Sequence, residues 1–149
     1  MENFFIDSGC LDVLKHYNNA YNLSKVNNFG ALVSFNGIVR NDGICSLSFD
    51  IYEPILKKWF FGWEQKAKNK NCLIYFAHSV GDVDVAQSSY FVAVMSRHRN
   101  EPLSFLGEFV EDFKKHAPIW KYDIINGEKH YAKDRSFTLL GAGCLKPNK

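Results

Sequence analysis

The residues best suited to chemistry lie between Ser96 and Arg135, where cationic side chains recur at the ends of regular elements. Ser96-Arg97-His98-Arg99 closes an apolar run. Lys114 falls near the end of a helical pattern, His116-Ala117-Pro118-Ile119-Trp120-Lys121 follows it, and Arg135 comes later. Arg40 closes an earlier strand. A guanidinium presents a planar fork to phosphate or carboxylate. A positioned ammonium stabilises negative charge developing on oxygen, or delivers a proton. His98 adds a ring that can exchange a proton near neutral pH. This set suits a pocket for an anionic small molecule. No acid pair, Cys–His pair or glycine-rich phosphate loop competes with it.

The elements must bring these groups together. Ser8 reads as the cap of a first helix from about Gly9 to Tyr21, with Leu14, Tyr17 and Tyr21 on one side. Ala31, Val33 and Phe35 alternate with Leu32, Ser34 and Asn36 in a strand ending near Arg40. Leu47, Phe49 and Ile51 alternate with polar neighbours, after an Asn41-Asp42-Gly43 turn. Pro54 opens a helix whose apolar positions are Leu56, Trp59, Phe60, Trp63 and Ala67. Leu73 to Val80 and Ser89 to Ser96 read as strands, with a turn at Gly81-Asp82. A bend at Asn100-Glu101-Pro102 would let His98 and Arg99 meet one ligand, although strand neighbours face opposite ways.

Asn100 and Pro102 then begin a helix with the stripe Phe105, Leu106, Phe109, Val110 and Phe113, which Pro118 stops. Lys114 continues the i+4 series Leu106, Val110, Lys114. It is read either as a partly desolvated amine able to act as acid, base or oxyanion partner, or as a snorkelling lysine at a helix C-terminus. Ile119 to Ile125 and Glu128 to Lys133 flank Asn126-Gly127, a strong hairpin signal. The mixture of helices, strands and a hairpin favours an α+β fold.

Composition bounds the remaining possibilities. A chain of 149 residues with 46% apolar and 15% aromatic residues is one globular domain, spanning 1–149. Residues 136–149 are expected to form a mobile tail. The net charge of +2 is too small to indicate nucleic acid. No apolar run approaches the roughly 18 residues that span a bilayer, and the first residues lack a basic leader, so a cytoplasmic location is expected. Cys10, Cys45, Cys72 and Cys144 form no metal or redox spacing, so neither a metal nor a cofactor is expected.

Three blocks in order carry a family resemblance. Gly30-Ala31-Leu32-Val33-Ser34-Phe35-Asn36-Gly37-Ile38-Val39-Arg40 resembles a "GAxVxFxGxVR" strand. Ser96 to Arg99 resembles "SxHR". Lys114 to Lys121 resembles "K-x-x-AP-hydrophobic-WK", with Arg135 after it. Together they resemble the large, catalytic subunit of molybdopterin synthase.

The resemblance implies an α/β-hammerhead-type α+β fold with an additional antiparallel β subdomain. It also implies a homodimer within a heterotetramer, flanked by a small ubiquitin-like sulfur carrier with a Gly-Gly C-terminus. The implied reaction is sulfur transfer from the thiocarboxylated carrier to a cyclic pyranopterin monophosphate, precursor Z, giving molybdopterin. By the same resemblance, Ile38, Val39, Arg40, His98, Arg99, Lys114, Lys121, Tyr122, Asp123 and Arg135 line the substrate site, and Lys114 and Lys121 are catalytic. Lys66 and Lys68 are the nearest equivalents of an arginine supplied by the neighbouring subunit. Arg97 departs from the small residue common at its position, and Tyr122-Asp123 from a basic residue and Glu. A non-catalytic nucleotide- or RNA-binding module is the alternative. It is disfavoured because the aromatics fall on apolar stripes and the charge is nearly balanced.

Overall fold

The computed structural model describes residues 3–132. Its elements run β1 (Phe4–Ser8), α1 (Val13–Val26), β2 (Ala31–Ile38), β3 (Ser46–Ile51), α2 (Glu53–Asn69), β4 (Cys72–Asp84), β5 (Ser88–Ser96), α3 (Asn100–His116), β6 (Ile119–Ile125) and β7 (Glu128–Tyr131). The strands form the order β2-β5-β4-β3-β6-β7, and β1 lies beside β4 in parallel. The long strand β4 joins two sheets. Its first half pairs with β5 and β1, and its last residues, Gly81 to Asp84, pair with β3. The β3–β6–β7 sheet is the additional antiparallel layer expected, so the fold is α+β.

Two cores flank the first sheet. On one face α2 and α3 bury Leu56, Phe60, Trp63, Phe105 and Phe109 against Ile74, Phe76, Val92 and Val94. On the other, α1 covers Tyr75, Ala77, Phe91, Ala93 and Met95. Every residue of β5 is buried, which explains its nearly unbroken apolar run.

The structure corrects the expected N-terminal helix. Ser8 ends a strand rather than capping a helix, and Gly9 turns the chain with φ +79°. Asp12 caps α1 by accepting from the Lys15 amide at 3.1 Å, so Cys10 precedes the helix. The α1 residues Leu14, Tyr17 and Tyr21 face outward, while His16, Ala20 and Ser24 are buried. A buried histidine and serine take the places that hydropathy would give to leucine and tyrosine. His16 is held by Asp7 Oδ2 at 2.6 Å and the Tyr75 hydroxyl at 2.7 Å, and Asn19 donates to that hydroxyl at 3.1 Å.

A second correction concerns Gly81-Asp82, which continues β4 instead of ending it. Gly81 takes φ +84°, so the strand bends there while its partner changes from β5 to β3. The Asn126-Gly127 hairpin is as expected: both residues have positive φ, 52° and 78°, as a type I′ turn requires. Pro118 follows the C-cap of α3.

Candidate functional site

The ladder register sorts the cations into two groups. Ala31 pairs with Ser96 and Ile38 with Ser88, so Arg40 and His98-Arg99 leave opposite ends of the β2–β5 pair. The seven steps from Ala31 to Ile38 span about 23 Å. Helix α3 gives the same separation independently, since Arg99 caps its N-terminus and Lys114 sits in its last turn. Those fifteen residues rise about 22 Å. One copy of the chain therefore cannot close all the expected ligands around one small molecule.

At the first end, Arg40 follows Val39, whose amide donates to the Gln87 carbonyl and whose carbonyl accepts from Ala86, both in the β4–β5 turn. Ile38, displaced by a β-bulge, is exposed, whereas Val39 is buried. The Arg40 guanidinium is exposed and meets Asp42 at 3.3 Å. Lys121 is paired with Phe49, which is itself paired with Gly81 of β4. Paired residues share a face of the sheet, so Lys121 lies on the side covered by α3.

An aromatic box connects these segments. The Tyr90 ring stacks on Phe113, one residue before Lys114, with centroids 4.1 Å apart and planes 12° apart. His78 lies 5.0 Å from Phe49, edge to face, and 5.8 Å from Tyr90. The His78 Nδ1 is 2.7 Å from the Ser79 carbonyl. A carbonyl only accepts, so Nδ1 carries the proton. Burial pushes the His78 pKa down to about 4; the Ser79 hydrogen bond opposes this, and the nearby Lys121 charge adds to it. The imidazole is therefore neutral beside Lys121.

The second end collects His98 and Arg99, both exposed on the bend after β5. The last turn of α2 carries Lys66 and Lys68 to the same end, because β4 begins just beyond it with Cys72 opposite Ser96. The Lys70–Glu101 ion pair, 3.7 Å, links this corner to the start of α3. Lys66 lies over the Trp63 ring at 4.3 Å.

Two expectations change. Lys114 is exposed: the series Leu106, Val110, Lys114 runs from buried through half-buried to solvent as the helix leaves the sheet. The snorkelling geometry describes it in the single chain. Tyr122 alternates to the face opposite Lys121, where its ring meets Tyr131. Burial and the adjacent Asp50 carboxylate raise its pKa to about 12, so only its backbone is left toward the lysines. Asp123 returns to the Lys121 face. Arg135 and the expected tail at 136–149 lie outside the described residues.

Sequence reasoning also missed a support under Lys114. Asp112 Oδ2 accepts from Trp59 Nε1 at 3.0 Å and Trp63 Nε1 at 2.7 Å, while its Oδ1 meets His116 Nδ1 at 2.6 Å. Burial would raise the Asp112 pKa, but the hydrogen bonds from Trp63, His116 and Trp59 outweigh it and hold the carboxyl below its usual range. This clamp fastens the last turn of α3 to α2. The i, i+4 spacing of Asp112 and His116 was a visible signal, but their meeting with two tryptophans on another helix was not.

Among the described residues no cluster of His, Cys, Asp and Glu could hold a metal ion. Nor is any helix there long and apolar enough to cross a membrane.

Comparison with known proteins follows the same outline. A family model described as MoaE protein matches residues 9–116. The molybdopterin synthase catalytic subunit of Helicobacter pylori strain 26695 is 50% identical over 119 residues, 79% of this chain and 82% of that protein. That of Thermoplasma volcanium is 30% identical over 68% of this chain and 80% of its own length. A solved complex of subunits 1 and 2 of the molybdopterin-converting factor from Helicobacter pylori 26695 contains a chain with TM-score 0.88 and 44% identity, covering 96% of this chain and 99% of that one. The Burkholderia ambifaria MoaE protein shares the fold at 21% identity, with TM-score 0.75 over 91% of this chain and 92% of its own.

Proposed function

The chain belongs to the MoaE protein family, and from that premise we propose that it is the catalytic subunit of a molybdopterin synthase. In this reading it moves sulfur from the thiocarboxylated Gly-Gly terminus of a small carrier onto precursor Z, in the cytoplasm and without a cofactor of its own. The observation that carries the reading is the convergence of the segments bearing Arg40, Lys114 and Lys121 on one aromatic box.

The division of the cations supports a two-fold assembly. The substrate's phosphate calls for more cationic ligands than either end of the chain holds. A second copy that brings its His98-Arg99 end against the Arg40–Lys114–Lys121 end of the first completes the set. A two-fold axis then builds two equal sites. Lys66 and Lys68 would arrive with the same partner corner. Two carriers, one per site, make a heterotetramer.

The chemistry follows from charge. Opening the cyclic phosphate and adding sulfur both develop negative charge on oxygen. The Lys114 ammonium, exposed in the single chain, becomes desolvated once substrate, carrier and partner surround it, and its field on that oxygen strengthens accordingly. Lys121, beside neutral His78, holds the carrier's terminal carbonyl or assists proton delivery. Arg40 and Arg99 grip the phosphate as planar forks. Arg135 is assigned to the same substrate site. Ultracentrifugation of the chain with and without carrier tests the assembly: dimer and heterotetramer are expected, and a monomer under both conditions at micromolar concentration refutes it.

A further inference from the structure

Tyr90 is a chemically incomplete group at the meeting point of the three segments just described. Its side chain is 5% exposed, and its hydroxyl is buried without a hydrogen-bond partner among the described residues. A buried hydroxyl left unpaired is destabilising, and a fold that keeps one invites an explanation. The ring is held on every side. It stacks on Phe113, tilts against Phe35 at 5.4 Å and neighbours His78. Below it lies Gly37, its register partner, where a Cβ would stand 3.0 Å from Tyr90 Cβ and 3.2 Å from Cδ1. A side chain there would press the ring aside by a few tenths of an ångström.

Phenylalanine would make the same ring contacts without the unpaired hydroxyl. Packing alone therefore does not account for tyrosine here. Phe113 is only partly buried, so the stack reaches the surface beside Lys114. Arg40 lies three residues beyond Gly37, and Lys121 lies beside Phe49, which touches His78. A ligand drawn in by these cations presents anionic oxygen, the acceptor that a phenol O–H lacks here.

We propose that Tyr90 is a further ligand-contacting residue of this site, its hydroxyl donating to an anionic oxygen of the molecule bound between Lys114 and Lys121. The inference rests on the synthase reading. The oxygen belongs either to the phosphate of the pterin or to the carrier's C-terminal carboxylate, and both present the same acceptor chemistry.

The test is Tyr90→Phe, in the full chain, with three measurements against wild type: affinity for the cyclic pyranopterin monophosphate, affinity for the carrier ending in Gly-Gly carboxylate, and thermal midpoint. Loss of a hydrogen bond to an anion weakens one of the two affinities by about tenfold or more, and the arm that weakens identifies the acceptor. The thermal midpoint of the free protein stays level or rises, because an unpaired polar group has been removed. If both affinities stay within twofold of wild type, the inference is overturned and Tyr90 is a packing residue only. If wild type itself binds neither molecule, the synthase reading falls with it. Wild-type binding with an indifferent Tyr90→Phe removes this inference alone.

Discussion

Replacing Asp112 with Ala probes whether the last turn of α3 is fixed from below. The carboxylate takes three hydrogen bonds at 3.0, 2.7 and 2.6 Å. A bond to a charged acceptor contributes about 1.5–3 kcal/mol in protected surroundings. The Trp63 bond is the most protected, since that residue is 7% exposed. Those from Trp59 and His116 count for less, because the Asp112 side chain is 30% exposed and His116 67%. The expected loss is about 2–4 kcal/mol, or about 5–12 °C in thermal midpoint for a chain of this size. Asp112→Asn keeps one carbonyl oxygen between the indoles and loses only about 1 kcal/mol.

The pH dependence has a definite sign. The carboxyl is held below its ordinary value of 3.8 in the folded protein, so its contribution is full above that pH and disappears as pH falls through the folded value. Denaturant unfolding of wild type and Asp112→Ala, at one fixed protein concentration, should therefore show a gap that is constant near neutrality and narrows below about pH 4. A gap under 0.5 kcal/mol at pH 7 (about the scatter of a neutral surface change), or one unchanged at pH 3, would refute the clamp.

Lys114→Ala should reduce turnover by about 10²–10³, the effect of removing one oxyanion donor, with carrier binding and folding retained; Lys121→Ala should cost less. Steady-state rates of molybdopterin formation check this, and activity of Lys114→Ala within twofold of wild type removes the assignment. Mixing inactive Arg99→Ala and Lys114→Ala proteins after dissociation should restore activity, because mixed dimers hold one intact composite site; random pairing gives about a quarter of the wild-type rate. Mixtures no better than the parents would place all ligands in one chain. Single Ala or Ser variants of Cys10, Cys45, Cys72 and Cys144 should convert precursor at near wild-type rates when thiocarboxylated carrier is supplied. Cys10 and Cys45 are exposed and away from the box, while the buried Cys72 has its thiol pKa raised by burial. A hundredfold loss in a well-folded variant would require a protein thiol in the reaction.

The parts legible in the sequence are those whose signal is local. The Leu47–Ile51 alternation, the α3 stripe, Pro118 and Asn126-Gly127 each state their own conformation, and each appears as read. β1 was invisible because a strand buried on both faces does not alternate: Phe4 enters one core and Phe5 the other. The α1 face was misleading because its buried His16 is held by hydrogen bonds with Asp7 and Tyr75, which come from other elements. Motif blocks identified the cations but not their separation, which depends on strand register and helix length. His78 and Tyr90 lie in apolar runs that spell only "strand", and their roles arise from neighbours brought by α3 and β3.

The central claim is best tested by one reaction. The purified chain is incubated with precursor Z and a thiocarboxylated carrier, and the product is assayed as molybdopterin. The account predicts product formation that requires the thiocarboxylate and is lost in Lys114→Ala. A well-folded wild-type chain that assembles with carrier, binds precursor and forms no molybdopterin would contradict it.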